Sequence, residues 1–407
     1  MRLRACWWLA FSSVCLIPLA GETRPHYGGT LNVEAPTFPV PVFETLVRVN
    51  LRGRIEPVLA VAWQHDPDFK RWRFSLRSKV LFHDGEPFTA ASAVPSLLQA
   101  LQKEYPEVAI EAGGQALLIK CGQPMPDLLE LLAWAAISRS DIGTGPFRIA
   151  KREPQRTAFN AFEDYWGGRP YLDRVVIEGA SERGSADIFD LPPGPSRRIV
   201  PEGWTIWGSA PKTLVALQGL HVDANVLKAL ALGIDRKAIA NVLAQHKAEA
   251  AFGLLPQWLS GYEFLFQSAP DIARAKQIVA QMHPAPLSLE ASGDPFLRSV
   301  AERIALNARD VGIAIQLKAS GDLRLLELPI ESTNAMLAIE LMKLGDRAPS
   351  DLTKPEAAYE LERAQMEQAH IIPLVHLRET YATSPKVHFQ PSRDQFALHL
   401  EDAWIQP

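Results

Sequence analysis

The chain has 407 residues, enough for two or three compact lobes with cores of their own. Its composition, 47% hydrophobic and 22% charged with 32 scattered prolines, is that of a globular protein and not of a disordered one. A net charge of −4 and the lack of any basic run argue against a nucleic-acid partner, because phosphate binding needs clustered Lys and Arg.

Residues 1–21 read as an export signal. Arg2 and Arg4 start it, Cys6 to Ile17 is mainly apolar, and Ala20 and Gly21 close it. The run is shorter than the roughly 20 apolar residues of a spanning helix. Pro18 or Leu19 stands where a cleavage site prefers a small residue, so retention as an N-terminal anchor stays open. Cys15 follows Ser12-Ser13-Val14, which does not match a lipoprotein signal. Cleavage would leave Cys121 alone, which rules out a disulfide framework or a thiolate zinc cluster and reads as a small buried hydrophobe.

Short strands then alternate with amphipathic helices, which predicts α/β lobes. Leu31 and Val33 open the first strand. Trp72, Phe74 and Leu76 alternate with Arg73 and Ser75, the period-2 mark of a half-buried strand. Asp84-Gly85 predicts a turn. A helix follows Thr89. Pro95 falls inside it, and Ser92 is expected to re-cap the helix so that Pro95 lies in its first turn. Leu214 to Leu220 reads as a strand. Ser268 is expected to cap a helix near Asp271, with Ile272, Ala275, Ile278, Val279 and Met282 as its buried stripe. Pro295 to Val311 is the clearest helix, with Leu297, Val300, Ala301, Ile304, Ala308 and Val311 on one face. Gly312 stands just past it, where a left-handed cap is easiest.

Chemistry-bearing residues are sparse in pattern. His83-Asp84 has the types of a base and its orienter, but no G-x-S-x-G elbow accompanies it, and a structural turn is the better reading. His370, His376, His388 and His399 show neither i, i+4 spacing nor an H-E-x-x-H, so no metal is expected. Asp164-Tyr165-Trp166-Gly167-Gly168 suits a packing turn better than a stacking platform.

Six motifs run through the chain in a fixed order. They are Gly28-Gly29-Thr30-Leu31-Asn32-Val33; Phe82-His83-Asp84-Gly85-Glu86-Pro87-Phe88-Thr89-Ala90; Gly143-Thr144-Gly145-Pro146-Phe147; the stretch from Asp164-Tyr165-Trp166 to Val176; Ala229 to Ile239; and Ile372-Pro373-Leu374-Val375-His376. Over Gly28 to Trp404 the chain thereby resembles the bacterial extracellular solute-binding proteins of family 5. That family supplies the dipeptide-, oligopeptide- or nickel-binding component of ABC importers, and this chain looks like a shortened, divergent member. The resemblance implies a two-lobed, type II-like Venus-flytrap fold with a side subdomain and a ligand cleft between lobes. It implies lobe I from 22–47, 160–225 and 373–407, a side subdomain over 48–159, and lobe II over 226–372. It further implies a monomeric, periplasmic receptor for a peptide or peptide-like solute, partnered by permease subunits, without catalysis and without a cofactor. A fold that has lost transport and acts as a sensor or degenerate binding module is the alternative.

The resemblance also suggests ligand contacts. Gln218 stands where the family usually places Asn near the end of the strand at the cleft. Asp190, in Asp187-Ile188-Phe189-Asp190, stands either to meet a ligand amine or in a solvated turn. The passage from Val33 to Phe43 is shorter than usual, leaving Phe38 to line the cleft or to pack. After Leu341 the chain lacks the longer loop whose Asp pairs with a peptide's terminal amine in relatives, and Asp346 is the candidate replacement.

Overall fold

Alternating apolar side chains build the first half of the fold. The computed structural model describes residues 25–50, 54–103, 105–179, 186–194, 198–266, 269–332, 334–344, 357–388 and 400–406. The expected export signal, Ser268, Asp346 and His399 lie outside the described residues. Strand β1 (Thr30–Glu34) buries Leu31 and Val33. β2 (Val47–Val49) and β3 (Ile55–Pro57) pair as a short hairpin. β4 (Ala60–His65), β5 (Arg71–Leu76), β6 (Ala109–Gly113) and β7 (Ala116–Lys120) form an antiparallel sheet in the order β4-β5-β7-β6. In β5, Trp72, Phe74 and Leu76 are buried while Arg71, Arg73 and Ser75 are exposed, as the alternation predicts.

Helices α1 (Ala90–Leu101) and α2 (Leu128–Leu132) close this unit, whose core runs from Leu46 to Ile137. The start of α1 differs from the expectation. Thr89 is the N-cap: its hydroxyl accepts from the Ser92 N–H at 3.2 Å, and the Thr89 N–H donates to the Ser92 hydroxyl at 2.9 Å. This reciprocal pair holds the first turn one residue after Thr89, so Pro95 sits beyond it, on the exposed side of a continuous helix.

The chain next lays down β8 (Phe147–Glu153), β9 (Arg156–Ala161), β10 (Arg174–Glu178), β11 (Ile188–Asp190) and the long β12 (Thr205–Gly219). α3 (Ala224–Gly233), α4 (Arg236–Ala238), β13 (Ala248–Ala250), α5 (Gln257–Ser260) and α6 (Ile272–Met282) follow. Then come β14 (Leu287–Glu290), α7 (Pro295–Asp310), β15 (Ile315–Lys318), β16 (Leu323–Pro329), α8 (Ala335–Leu341), α9 (Ala357–Gln368) and β17 (Ile371–Thr383). β18 (Val387–His388) and β19 (Trp404–Ile405) pair near the end. One eleven-stranded sheet runs β15-β14-β16-β12-β17-β11-β1-β10-β9-β8, with β13 also on β17.

Two lobes hang on that sheet. The first packs β1, β9 and β10 around Leu31, Val33, Phe159, Val175 and Tyr381. β8 and β9 extend its sheet, so the expected border at 159 falls inside β9, whereas the core of the side unit ends at Ile137. In the second lobe, Val215 and Leu217 face α3 and α7, while Leu214 and Ala216 face α8 and α9. The strand is therefore buried on both faces, which explains its continuous apolar run. The expected strand Leu214–Leu220 is only the rear half of β12. β12 and β17 pass from one lobe into the other. Their pairing slips between Gly208 and Pro211 and again before Thr213, where Pro211 supplies no N–H to the ladder.

Two helices show how far periodicity reads. α7 is capped by Asp294, whose carboxylate accepts from the Leu297 N–H at 2.8 Å, and Gly312 follows with φ +94°. α6 begins later than expected. Asp271 is its cap, accepting from the Arg274 N–H at 2.9 Å. Of its expected stripe only Ala275 is fully buried; Ile272, Ile278 and Val279 are partly buried, and Met282 is exposed. Among the described residues no helix is long and apolar enough to cross a membrane.

Candidate functional site

The parallel strands β1 and β11 end side by side at the border with the second lobe, in register at Glu34 and Phe189. Ligands of open parallel sheets gather beyond such carboxyl ends. Glu34 closes β1 and is only 4% exposed. Its Oε2 lies 2.9 Å from Arg198 Nη2, and its Oε1 has no hydrogen-bond partner. Asp190 closes β11, with Oδ1 3.8 Å from Arg198 Nη1. Burial pushes the Asp190 carboxyl above its usual range, against the pull of Arg198. Among the described residues two carboxylates thus converge on one guanidinium.

Aromatic rings wall the same border. Tyr381, paired with Asp190 across the ladder, lies 4.8 Å from Trp207 and edge-on to Phe38 at 5.4 Å. Trp207 Nε1 donates to Thr383 Oγ1 at 2.7 Å, which fixes the indole. Arg198 stands 5.2 Å over the Phe189 ring. Where β12 and β17 cross, Lys212 pairs with Glu379 at 2.8 Å and Arg378 pairs with Glu249.

The lobes touch in the structure. Lys247 Nζ of the second lobe donates to Pro192 O of the first at 2.9 Å. Gly194 (φ +91°) passes so near α7 that a Cβ there would stand 3.6 Å from Phe296. Asn334, the cap of α8, donates from Nδ2 to Asp127 Oδ1 of the side unit at 3.3 Å.

The residues singled out in the sequence scatter. Asp190 is at this border. Phe38 is 3% exposed and belongs to the first-lobe core. Gln218 lies elsewhere: its Nε2 donates to Ala369 O at 3.1 Å and its Oε1 accepts from Arg324 Nε at 2.8 Å. It pairs with Ile371, ten residues along β17 from the partner of Asp190, or roughly 33 Å of strand. The structure therefore does not bring Gln218 and Asp190 together. Glu34, Arg198, Tyr381 and Trp207 escaped the sequence reading. For Glu34 a signal existed: a carboxylate directly after the alternating Leu31 and Val33, at a strand's carboxyl end.

The other polar motifs are structural. His83 Nε2 donates to Gly145 O at 2.9 Å and its Nδ1 accepts from the Gly143 N–H at 3.3 Å, so both ring nitrogens serve the backbone. Asp84 pairs with Arg139. Tyr165 Oη and Trp166 Nε1 donate to Glu44 at 3.0 and 2.9 Å, and Thr144 Oγ1 donates at 2.8 Å. Burial drives the Glu44 carboxyl up to about 7 in spite of these three donors. In the second lobe, Glu362 accepts from the Leu255 N–H at 2.9 Å, and burial likewise raises it to about 7. His376 is fully buried, contacts Leu254 O at 3.0 Å and is pushed down to about 4 by desolvation. His388 stacks on Trp404 at 4.0 Å. Cys121 is buried, and burial raises its thiol. Among the described residues no cluster of three or more His, Cys, Asp or Glu could hold a metal ion.

Comparison with known proteins adds to this geometry. The family model for bacterial extracellular solute-binding proteins, family 5 Middle, matches residues 54–114 and 125–187. The nickel-binding periplasmic protein of Escherichia coli (strain K12) is 27% identical over 44% of this chain and 37% of its own length. The HTH-type transcriptional regulator SgrR of Photorhabdus laumondii is 28% identical over 33% of this chain and 28% of its own length. The chain thus spans about a third of the length of the curated relatives it matches. Among solved structures, NikA from Brucella suis in complex with Fe(III)-EDTA aligns with a TM-score of 0.76 at 18% identity, over 93% of this chain and 100% of that one. The oligopeptide-binding protein AppA from Bacillus subtilis, in complex with a nonapeptide, aligns with a TM-score of 0.74 at 15% identity, over 94% and 100%. The fold is that of these two-lobed proteins.

Proposed function

We propose that the chain is a member of family 5 of the bacterial extracellular solute-binding proteins, whose model matches residues 54–114 and 125–187, and that it captures a small solute between its lobes for an ABC importer. The observation that carries this is the shared-strand architecture: two lobes joined through β12 and β17, meeting where Glu34, Asp190 and Arg198 converge beside Tyr381 and Trp207. Strands that bend at slipped pairings allow hinge closure, and contacts from both lobes favour the closed state. The solute is a peptide or peptide-like molecule with a basic end, which Asp190 meets beside Glu34. Asp190 is the ligand contact of the sequence candidates. Phe38 supports Tyr381 from behind, Gln218 ties β12 to the end of α9, and Asp346 is retained as a contact whose place lies outside the described residues. The protein performs no chemistry on its solute, needs no cofactor and works as a monomer in the periplasm with permease subunits.

Thermal unfolding of the purified chain with a panel of dipeptides, oligopeptides and nickel–histidine mixtures tests the reading. A cognate solute at a hundred times its dissociation constant should add about 2.7 kcal/mol. No shift with any member of the panel, together with an empty native mass spectrum, would sink it. A second reading is a sensor that binds a solute without feeding transport. The match to SgrR, a transcriptional regulator, favours it. Solute uptake that persists unchanged after deletion of the protein, with binding intact, would select that reading.

A further inference from the structure

A pocket of about 650 Å³ opens on the second lobe between α3, α6 and α9, at the start of β17. That volume suits a small organic ligand. The pocket lies at the opposite end of β17 from Tyr381, so it is separate from the border where the lobes meet. Phe252, Phe266 and Tyr359 give it an aromatic wall, with Phe266 and Tyr359 5.1 Å apart.

Among the described residues its charge is one-sided. Lys228, Arg236, Arg274 and Arg363 line it, with Glu367 as the acid among the lining residues. Lys228, Arg274 and Arg363 are exposed at its mouth, and none of the four cations has a carboxylate within ion-pair distance among the described residues. Arg236 lies deeper. Its Nε donates to Pro373 O at 2.7 Å and its Nη1 to Ala231 O at 3.0 Å, and the guanidinium lies 5.5 Å from the Phe252 ring. Those two bonds tie α3 to β17 and use two of the five guanidinium N–H groups. Desolvation with no counter-charge pulls the group down to about 10. A shielded cation without a counter-charge is costly, and an entering anion removes that cost.

We propose that this pocket binds an organic anion with an apolar body. Its carboxylate, sulfonate or phosphate group meets Arg236 with Lys228 and Arg363, and its ring or chain lies on Phe252, Phe266 and Tyr359. This site is independent of solute capture between the lobes.

Calorimetric titration of the full chain with naphthalene-1-sulfonate should show saturable binding to one site. The affinity should fall as salt rises, and 1-naphthylmethylamine, of the same ring size and opposite charge, should give no heat. A Lys228→Glu, Arg363→Glu double variant changes only exposed positions. It should weaken the anion about tenfold while leaving the melting temperature unchanged. Three results would overturn the proposal: no binding of the sulfonate, equal binding of the amine, or an affinity unchanged in the double variant. The last would place the sulfonate elsewhere, including between the lobes.

Discussion

Glu44 shows how one residue sets the cost of a motif. Three donors converge on its carboxylate, yet burial outweighs them and the group stays protonated to about pH 7. Its ordinary value is 4.5, so between pH 4.5 and 7 the folded chain holds a proton that the unfolded chain has released. The Glu44 contribution therefore weakens stability as pH rises through that window and is constant above it. Glu44→Gln removes the titration. The difference in unfolding free energy between variant and wild type should move in the variant's favour by about 3 kcal/mol from pH 4.5 to 7. Urea titrations at several pH values check this, and a pH-independent difference would contradict it. His376, lowered to about 4, acts with the opposite sign between pH 4 and 6.5, so the comparison must be made against wild type at each pH. At the lobe border, Asp190→Asn leaves one carboxylate against Arg198. It should weaken a solute with a basic end about tenfold, by calorimetry, without lowering the melting temperature.

At the scale of elements, α1 holds two opposed features. The Thr89–Ser92 box satisfies two backbone groups at its start, whereas Pro95 withholds one N–H from its interior. Thr89→Ala should cost about 1 kcal/mol in urea unfolding, and Pro95→Ala, inside the helix, should add stability of up to about 3 kcal/mol. α7 and β5 are legible from sequence because their apolar faces follow a single period and their ends carry local signals, Asp294 and Gly312 for α7. α6 is legible only as a helix. Its cap and its buried width depend on how far α3 covers it. The site reads less well still. Asn32 and Asp187 meet across 155 residues, and Glu34 reaches Arg198 across a similar span. No local pattern encodes such pairs. Asp190 is visible in its motif, while its partners appear only when β1 and β11 lie side by side.

For the whole molecule, the cross-lobe bonds of Lys247 and Asn334 decide how firmly the lobes stay together. Each is a single hydrogen bond at or near the surface, worth about 1 kcal/mol. Lys247→Met with Asn334→Asp, which keeps the α8 cap and removes the donor to Asp127, should favour the open arrangement. The radius of gyration from small-angle X-ray scattering should increase in the variant and return towards wild type at saturating solute. An unchanged value would mean that the shared strands alone hold the lobes together. The two-lobed plan itself is legible through the ordered motifs, whereas the crossing is not, because β12 and β17 read locally as ordinary apolar strands.

The central place of β17 has a consequence for biogenesis. This strand, residues 371–383, lies between β12 and β11, so without it the great sheet separates into two unfinished halves. A growing chain emerges N-terminus first, and it exposes the edges of β11 and β12 from about the middle of its synthesis until β17 arrives. Neither lobe can complete its ladder until the last tenth of the chain arrives. Pairings of such long range make folding slow and leave bare edges open to aggregation. The nascent chain therefore stays loosely folded until late in its synthesis. A fragment ending at His370 should show no cooperative melting in calorimetry, although the side unit with its local core can retain partial structure.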